Sequence, residues 1–345
     1  MDFRSVPRVR HHQRRVSHLK QRIHVAAGVI CNARGEILVA RRFEHAHQGG
    51  RWEFPGGKLE PGEDVRAGLA RELDEELGIS LDSARPLIRV RHDYPDRAVL
   101  LDVWRVTGWQ GRVHSREGQA LRWLGADAFT GLLMPAADVP VVKALRLPDC
   151  YLVTPSPGSD RGVFLAALSA SIDAGVELVS LRAKELPAAS LVSLCRQAAG
   201  ICRARGARLL INADPALLAA SGADGIHLDS ARLMATTSRP VPAGVWLGAS
   251  CHDARQLTRA VRIDADFAVL SPVAATRSHT RATPLGWQQF EALVEEVNLP
   301  VFALGGLGRE QLESAWQHGG QGIAAMRGLW KGSVTGDQCP TAGRS

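Results

Sequence analysis

Between residues 149 and 331, short apolar segments alternate with helical stretches, and this pattern limits the fold more than any other feature. Helices are predicted over residues 190–205, 254–261 and 287–297. Strands separated by helices form a parallel sheet, either doubly wound or closed. A count of eight strands, with Gly305 and Gly306 forming a phosphate-cradling turn after the seventh, favours a (β/α)8 TIM barrel. The predicted strands are CYLVTP (150–155), VELVSLR (176–182), ARLLIN (207–212), ADGIHL (223–228), VWLGAS (245–250), FAVLSP (267–272), PVFALGG (300–306) and QGIAAM (321–326).

The chain has 345 residues, enough for two domains with separate cores. The pattern changes after Leu147 and Pro148, so we predict one domain over residues 22–148 and the barrel over 149–331. A leader (1–21) and a tail (332–345) are predicted to be disordered. Residues 1–22 contain seven Lys/Arg and one Asp, a net +6 of the total +7. Such a leader also suits a transit peptide or a nucleic-acid tether, but we interpret it as a flexible extension.

Composition and charge argue against several classes of protein. The sequence has no run of about 18 apolar residues, so we expect no membrane span. Outside the leader, no basic stripe is interleaved with aromatic residues, and we expect no nucleic-acid partner. The six cysteines form no CxxC pair and follow no secretory signal, which predicts a reducing, cytoplasmic location.

Residues 57–79 combine glycines with acidic residues at fixed spacing. Residues 64–77 are predicted to form a helix that ends at Gly78. At about 100° per residue, Glu72, Glu75 and Glu76 share one narrow arc of this helix. That arc lies beside the apolar stripe rather than opposite it, so these carboxylates sit at the rim of the buried side. Like charges placed there repel each other unless a cation is present.

A divalent cation would balance the repulsion between these carboxylates, because Mg²⁺ binds carboxylate oxygens and bridges to substrate phosphates. We therefore predict Mg²⁺, with Mn²⁺ as an alternative, held by the glutamates of the helix. Arg71 is expected to orient one carboxylate and leave the others to the metal. The competing interpretation is an ordinary charged helix with i,i+4 ion pairs, which the mostly like-charged spacing disfavours.

Residues 57–79 match the Nudix box, and residues 22–147 resemble the MutT branch of the Nudix hydrolases, the 8-oxo-dGTP diphosphatases. The matching segments are RIHVAAGVI (22–30), ILVARR (37–42), RWEFPGGKLEPGE (51–63), YPDR (94–97) and EGQALRWL (117–124). The resemblance implies an α/β sandwich with a mixed sheet between helices. It also implies metal-assisted attack of water on a nucleoside triphosphate, releasing the monophosphate and pyrophosphate. By the same resemblance, the implied metal ligands and catalytic groups are Glu72, Glu75, Glu76, Glu117, the Gly56 carbonyl and, in support, Glu63 and Arg71.

The same resemblance implies a pocket for an oxidised purine. The residues at the corresponding positions are Arg42, Glu53, Phe54, Asp96, Arg97 and Asp138. Asp138 departs from the family pattern, which usually has Asn there. Asn can donate to O6 of the purine and accept from N7–H, whereas an ionised Asp only accepts. We therefore expect the preference for 8-oxo-dGTP to be less secure than the hydrolytic chemistry.

Residues 149–330 resemble thiamine-phosphate synthase and the TenI-like proteins. The marks are VSLRAKE (180–186), LLINAD (209–214), ADGIHLD (223–229), LGASCHD (247–253), VLSPVAATRSH (269–279) and FALGGL (302–307). The two magnesium-binding aspartates of the synthase fall on Ala213 and Arg232, its pyrophosphate-contacting lysine on His279, and its late serine on Arg327. The residues that survive are Arg182, Lys184, Asn212, Ser250, Thr276, Gly305 and Gly306.

Groups that bind an anion therefore remain in the barrel, while the magnesium ligands are lost. We expect the barrel to lack synthase activity, unless Asp214 and Asp229 replace the lost carboxylates. It then binds a phosphorylated, thiamine-related ligand weakly, performs a TenI-like reaction, or is a retained partner domain. His227 and His279 are candidates for acid–base groups, or for packing and surface histidines. Two alternatives stay open. The first domain hydrolyses thiamine diphosphate or an analogue, or the barrel senses a ligand and regulates the hydrolase.

Overall fold

The computed structural model describes residues 22–276 and 283–332. The predicted leader, His279 and all but the first residue of the predicted tail lie outside these residues. The first domain contains seven strands and two α-helices. In chain order these are β1 (Arg22–Ile30), β2 (Ile37–Arg41), β3 (Trp52–Glu53), β4 (Gly56–Lys58), α1 (Val65–Leu77), β5 (Ser80–Asp93), β6 (Ala98–Gln110), β7 (Leu121–Leu124) and α2 (Val139–Leu145).

Two sheets build this domain. The larger sheet has the order β4-β1-β6-β5, in which β1 pairs parallel with β6 and the other pairs are antiparallel. The smaller sheet is antiparallel, with the order β3-β2-β7. Leu69, Leu73 and Leu77 of α1 pack in one buried cluster, and Val141 and Ala144 of α2 pack in another. The predicted α/β sandwich is confirmed.

The second domain is a closed barrel of eight parallel strands, as predicted. Its interior is filled by large side chains, including Tyr151, Phe267 and Phe302, so the barrel is a packed core and not a pore. The strands are β8 (Cys150–Val153), β9 (Leu178–Leu181), β10 (Arg208–Ile211), β11 (Gly225–Leu228), β12 (Trp246–Cys251), β13 (Phe267–Leu270), β14 (Val301–Leu304) and β15 (Gly322–Ala325). The helices are α3 (Arg161–Asp173), α4 (Ala188–Ala204), α5 (Leu218–Ser221), α6 (Ser230–Ala235), α7 (Ala254–Arg262), α8 (Gly286–Val294) and α9 (Leu312–Gln317).

None of the helices in the described part of the chain has both the length and the apolar character needed to span a bilayer.

The barrel covers the outer edge of the larger sheet. Strand β5 ends that sheet, and an edge strand presents unpaired backbone groups. The side-chain amide of Asn298 satisfies one such pair: Oδ1 accepts from the Arg91 N–H at 2.9 Å, and Nδ2 donates to the Arg91 carbonyl at 2.7 Å. Beside this pair, Glu295 contacts the guanidinium groups of Arg89 and Arg91 at 3.1 and 3.0 Å. The two domains are thus joined by directed polar contacts.

Replacing Asn298 by alanine should lower the free energy of unfolding by about 1–3 kcal/mol, because both backbone groups of Arg91 lose their partner. The matched control is Glu296→Ala, since Glu296 pairs with Arg91 but is largely exposed, and such a pair contributes about 0–1 kcal/mol. Chemical denaturation of the full chain measures both. Equal effects of the two substitutions would contradict the proposed pairing of Asn298 with the strand edge.

Candidate active site

A cavity of about 310 Å³ lies in the first domain and collects residues that are distant in sequence. Its walls come from β1, β2, β4, α1 and the segments that precede β7 and α2. The predicted site residues that line it are Arg42, Glu53, Phe54, Gly56, Glu76, Arg97, Glu117 and Asp138. Glu72, Glu75 and Asp96 do not line this cavity. The cavity therefore brings together carboxylates from the Nudix box, a later loop and the start of α2.

Helix α1 forms as the sequence predicted. The Asp64 side chain accepts from the N–H groups of Arg66 and Ala67 at 3.0 and 3.1 Å and caps the first turn. Gly78 takes the left-handed conformation, with φ of 66°, and ends the helix. Because Leu73 and Leu77 are fully buried, Glu76 is held at the inner rim of the helix. There its Oε2 atom accepts from the Gly56 N–H at 3.2 Å.

Arg71 binds more carboxylates than the sequence predicted. Its guanidinium contacts Glu63 with two nitrogens, both at 3.0 Å, and also reaches Glu72 at 3.0 Å and Glu75 at 3.1 Å. The expectation that Arg71 orients a single carboxylate is therefore wrong. The planar guanidinium presents several N–H donors in a fixed fork, which allows one arginine to bridge three acids. Among the three glutamates of α1 that are predicted metal ligands, Glu72 and Glu75 contact Arg71 and Glu76 does not.

Two glutamates of the site, Glu76 and Glu72, resist ionisation. Burial raises the pKa of Glu76 to about 8, and the neighbouring charges of Glu53, Glu117 and Glu72 also raise it. The hydrogen bond from the Gly56 N–H has the opposite effect on this pKa. The pKa of Glu72 is also raised, by burial first and by Glu75 and Glu117, although Arg71 opposes the shift. Carboxylates held close enough to repel each other are stabilised in the charged form by a cation.

A magnesium ion fits this set of donors by their chemistry. Within residues 22–276 and 283–332, no three His, Cys, Asp or Glu side chains already converge as a metal-binding group. Arg71 holds Glu72 and Glu75, and only Glu76 and Glu117 of the predicted ligands face the cavity with their side chains. All of these ligands are hard carboxylate oxygens, which Mg²⁺ prefers, and their mutual repulsion would be relieved by it.

Two adjacent glycines leave room for this arrangement. Gly56 has a φ of 145°, and a Cβ there would overlap the Ala26 carbonyl, so this position needs glycine for the backbone itself. At Gly57 a Cβ would instead overlap the carboxyl group of Glu72, the end of a flexible side chain. Gly57 thus sets the position of Glu72 without being required by the fold.

Gly57→Ala should therefore displace Glu72 and reduce hydrolytic activity by about 10- to 100-fold, the usual cost of disturbing a ligand or its support. The melting temperature should change little, since the Glu72 side chain can move. Gly125→Ala serves as the control, because a Cβ there meets nothing within 4 Å. Activity and thermal unfolding of both variants test this; an undiminished rate in Gly57→Ala would show that the position of Glu72 is not critical.

All of the predicted base-recognition residues except Asp96 line the cavity. Phe54 is 2% exposed and its ring stacks on Phe129 with centroids 6.0 Å apart, so it belongs to the core as well as to the cavity wall. Arg42 forms an ion pair with Glu53. Arg97 pairs with Asp96 at 2.8 Å, and the Asp96 carboxylate also faces His47 at 3.3 Å.

The surroundings of Asp138 disfavour the ionised form considered in the sequence analysis. Its side chain is buried, and burial raises its pKa well above the ordinary value, with the charge of Glu53 adding to the shift. The Phe54 N–H and the Arg42 charge oppose the shift but are smaller influences. Burial therefore favours the neutral carboxylic acid, which has an O–H donor and a carbonyl acceptor. The sequence could not reveal this, because burial of Asp138 depends on the packing of the whole domain.

Sequence reasoning missed His47 and Gln119 as residues of the cavity wall. Gln119 is buried and accepts a hydrogen bond from the Ser115 hydroxyl at 2.6 Å. Its position two residues after Glu117 was the available signal. His47 has no comparable signal, because it lies in a polar loop between β2 and β3.

At the barrel, the surviving residues meet at the carboxyl ends of the strands. Arg182, Asn212 and Gly305 follow β9, β10 and β14, and these ends share one rim of a closed parallel barrel. The rim also holds Asp229, whose carboxylate contacts Lys184 at 3.0 Å and Arg232 at 2.8 Å. Gly305 and Gly306 both have positive φ, 118° and 63°, which gives the turn its shape.

The remaining acids and His227 are already engaged. Asp214 accepts from the Ala216 N–H and caps a short 3-10 helix, and Asp229 is paired with two cations, so neither is placed to replace the lost magnesium ligands. His227 is buried inside the barrel between the Tyr151 and Ser250 hydroxyls, at 3.0 and 2.8 Å. Burial lowers the pKa of His227 to about 4. It is a neutral, hydrogen-bonded core histidine.

Comparison with known proteins agrees with both halves of this geometry. Residues 26–144 match the NUDIX domain, and residues 150–329 match the family described as thiamine monophosphate synthase. The chain therefore belongs to the Nudix hydrolases through its first domain and to the thiamine monophosphate synthase family through its barrel. The Nudix domain is MutT-like, and its relatives include 8-oxo-dGTP diphosphatases.

Three relatives illustrate the similarity. The 8-oxo-dGTP diphosphatase of Proteus vulgaris is 43% identical over 29% of this chain and 88% of its own length. A putative thiamine-phosphate synthase of Geobacter sulfurreducens is 35% identical over 52% of this chain and 85% of its own length. A solved structure from a study of MutT from Aliivibrio salmonicida and Vibrio cholerae is 37% identical and covers 36% of this chain and 97% of its own, with a TM-score of 0.32.

Proposed function

We propose that the first domain hydrolyses 8-oxo-dGTP to 8-oxo-dGMP and pyrophosphate in a Mg²⁺-dependent reaction. The observation that carries this proposal is the single cavity in which Glu76 and Glu117 share the walls with Asp138 and Arg97. One group of side chains can serve the phosphates and the other the base. The relatives named above as 8-oxo-dGTP diphosphatases support the same substrate class. The described cysteines are free thiols, which suit a reducing compartment. We therefore propose the cytoplasm as the location of the protein.

The residues that would hold the metal are Glu72, Glu75, Glu76 and Glu117, with the Gly56 carbonyl beside them. When bound, Mg²⁺ neutralises phosphate charge and lowers the pKa of a coordinated water. Glu76 and Glu117 line the cavity, and either one can accept the proton of the attacking water. Arg71 fixes Glu72 and Glu75, which limits their motion before substrate binds.

Base selection falls to Asp138. As a neutral acid, it offers one donor and one acceptor, which is the pattern that an asparagine side chain offers. Its O–H can donate to O6 of the purine while its carbonyl oxygen accepts from the N7–H that marks the 8-oxo form. In this way Asp138 supplies both contacts that the MutT pattern assigns to asparagine.

Steady-state kinetics on a panel of nucleotides and thiamine phosphates tests the proposal. We expect kcat/KM for 8-oxo-dGTP to exceed the values for dGTP and for thiamine diphosphate. A value for dGTP or thiamine diphosphate that equals or exceeds it would overturn the proposed preference for 8-oxo-dGTP. If thiamine diphosphate has the higher kcat/KM, its hydrolysis becomes the function of the first domain.

For the barrel we propose binding of a phosphorylated, thiamine-related ligand without synthase activity. Arg182, Lys184, Asn212, Gly305 and Gly306 supply groups suited to an anion. The carboxylates needed to assist departure of pyrophosphate are replaced by Ala213 and Arg232 or occupied by ion pairs. Calorimetric titration with thiamine phosphate, with and without Arg182→Ala, tests binding. Turnover of a pyrimidine diphosphate and a thiazole phosphate to thiamine phosphate would contradict the absence of synthase activity.

A further inference from the structure

A second cavity, of about 410 Å³, lies where the two domains meet. Arg105 from β6 and the segment 145–149 form one side. Residues at the beginnings of the barrel strands form the other, among them Cys150 of β8 and Arg208 of β10. This cavity is therefore at the barrel end opposite to the rim that carries Arg182 and Gly305. Ligand sites of this size often lie between domains.

The cavity is rich in positive charge. Four arginines line it against two carboxylates, and one of these, Asp149, is bound at 2.6 Å by Arg85 from outside the cavity wall. The four are Arg105, Arg146, Arg208 and Arg309. Arginines on different elements that face one space repel each other. An anion between the four arginines would offset this electrostatic repulsion.

Two of these arginines contact the same aromatic ring. Arg146 and Arg208 lie over the ring of Trp246, with their Cζ atoms 4.9 and 5.0 Å from the ring centroid. Stacking uses the face of a guanidinium and leaves its N–H edge for hydrogen bonds. One edge nitrogen of Arg208 donates to the Arg146 carbonyl at 2.9 Å, which fixes its orientation further. The ring and the Arg146 carbonyl thus hold Arg208 in the cavity wall.

Arg105 adds a donor that the protein does not satisfy. Its Nε atom is buried and has no hydrogen-bond partner within the described residues. A buried donor without a partner costs free energy comparable to the loss of a hydrogen bond, and more when the group is charged. Arg105 also lines the cavity, so an anion bound there would balance the charge of its guanidinium. Phosphate oxygens match the fork of an arginine in two-point contacts.

We infer that the cavity between the two domains binds a small phosphorylated anion through Arg105, Arg146, Arg208 and Arg309. Because Arg105 belongs to the Nudix domain and Arg208 and Arg309 to the barrel, the bound anion joins the two domains. Free phosphate, pyrophosphate and a nucleoside monophosphate share the required chemistry. This site is separate from both sites proposed above and does not depend on them.

Isothermal titration of the full chain in EDTA with phosphate, pyrophosphate and dGMP tests the inference. We expect at least one of the three anions to bind. The anion with the lowest Kd shows which kind of phosphorylated ligand the site prefers. In the double variant Arg105→Gln/Arg208→Gln, Kd should rise by about 100-fold, about tenfold for each lost charged contact. Raising the salt concentration should also weaken binding. Arg255→Gln, an exposed arginine of α7, is the matched control and should bind as the wild type does.

Two further variants locate the ligand. Glu76→Gln in the Nudix cavity and Arg182→Ala at the barrel rim should both keep the affinity of the wild type. Loss of binding in Arg182→Ala with unchanged affinity in the double variant would place the anion at the rim and overturn the inference. The absence of binding for all three anions would overturn it as well. If the double variant does not fold, Arg309→Gln provides the decisive Kd.

Discussion

Replacing Glu76 by glutamine should lower kcat for 8-oxo-dGTP hydrolysis by about 10²- to 10⁴-fold, the range expected for loss of a catalytic base. Glutamine keeps the size of the side chain and an oxygen that can accept from the Gly56 N–H. It removes the negative charge that the metal and the attacking water require. The fold should remain intact, because the substitution also removes a charge that Glu53, Glu117 and Glu72 repel.

The control for this substitution is Asp74→Asn on the same helix. Asp74 is exposed and pairs with Arg116 at 3.2 Å, so its loss should leave kcat unchanged. Thermal unfolding of both variants checks that they fold, and a magnesium titration separates weaker metal binding from slower chemistry. If Glu76→Gln hydrolyses 8-oxo-dGTP at the wild-type rate with Mg²⁺, Glu76 is neither a ligand nor a base.

Substitution of Asp138 should change which substrate is preferred rather than how fast the phosphate bond is broken. In Asp138→Asn, the donor and acceptor remain, and the ratio of kcat/KM for 8-oxo-dGTP to that for dGTP should persist. In Asp138→Ala, both contacts are lost, and the ratio should fall by about 10- to 100-fold, the cost of leaving purine groups without partners. If the asparagine variant loses its preference, Asp138 makes a contact that asparagine cannot make.

The same residue predicts a dependence on pH. The pKa of Asp138 is raised in the folded protein, so the carboxyl group is neutral at low pH and ionises only as the pH rises through that value. Ionisation removes the O–H donor, and the preference of the wild type for 8-oxo-dGTP over dGTP should therefore decrease as the pH rises through the pKa of Asp138. Asp138→Asn cannot ionise and should keep a constant ratio. Because both substrates use the same metal site, the ratio removes the titration of the glutamates from the comparison.

Local signals in the sequence were sufficient for the elements of the fold. The sequence defined α1 and its end at Gly78, since such an end depends on neighbouring residues, whereas Asp64, predicted as the first helical residue, is the N-cap. The eight barrel strands followed from short apolar segments that alternate with helical stretches. The residues of the Nudix box also identified which helix face would carry the acids.

Interactions between distant residues could not be predicted in the same way. The bridging of three carboxylates by Arg71 depends on where the loop with Glu63 returns to the helix. Burial of Asp138 depends on how α2 packs on the sheet, and this burial reverses the chemistry expected from the residue type. The cavity at Arg105 and Arg208 exists only because two domains meet there.

The pairing of Asn298 with β5 has a consequence for how this protein can be divided. A Nudix domain expressed without its neighbour would expose a strand border that readily recruits a second strand. Self-association of such a fragment would then be a result of the cut and not a property of the intact chain. The barrel thus protects the hydrolase from such association, and this role does not require the barrel to have a catalytic activity of its own.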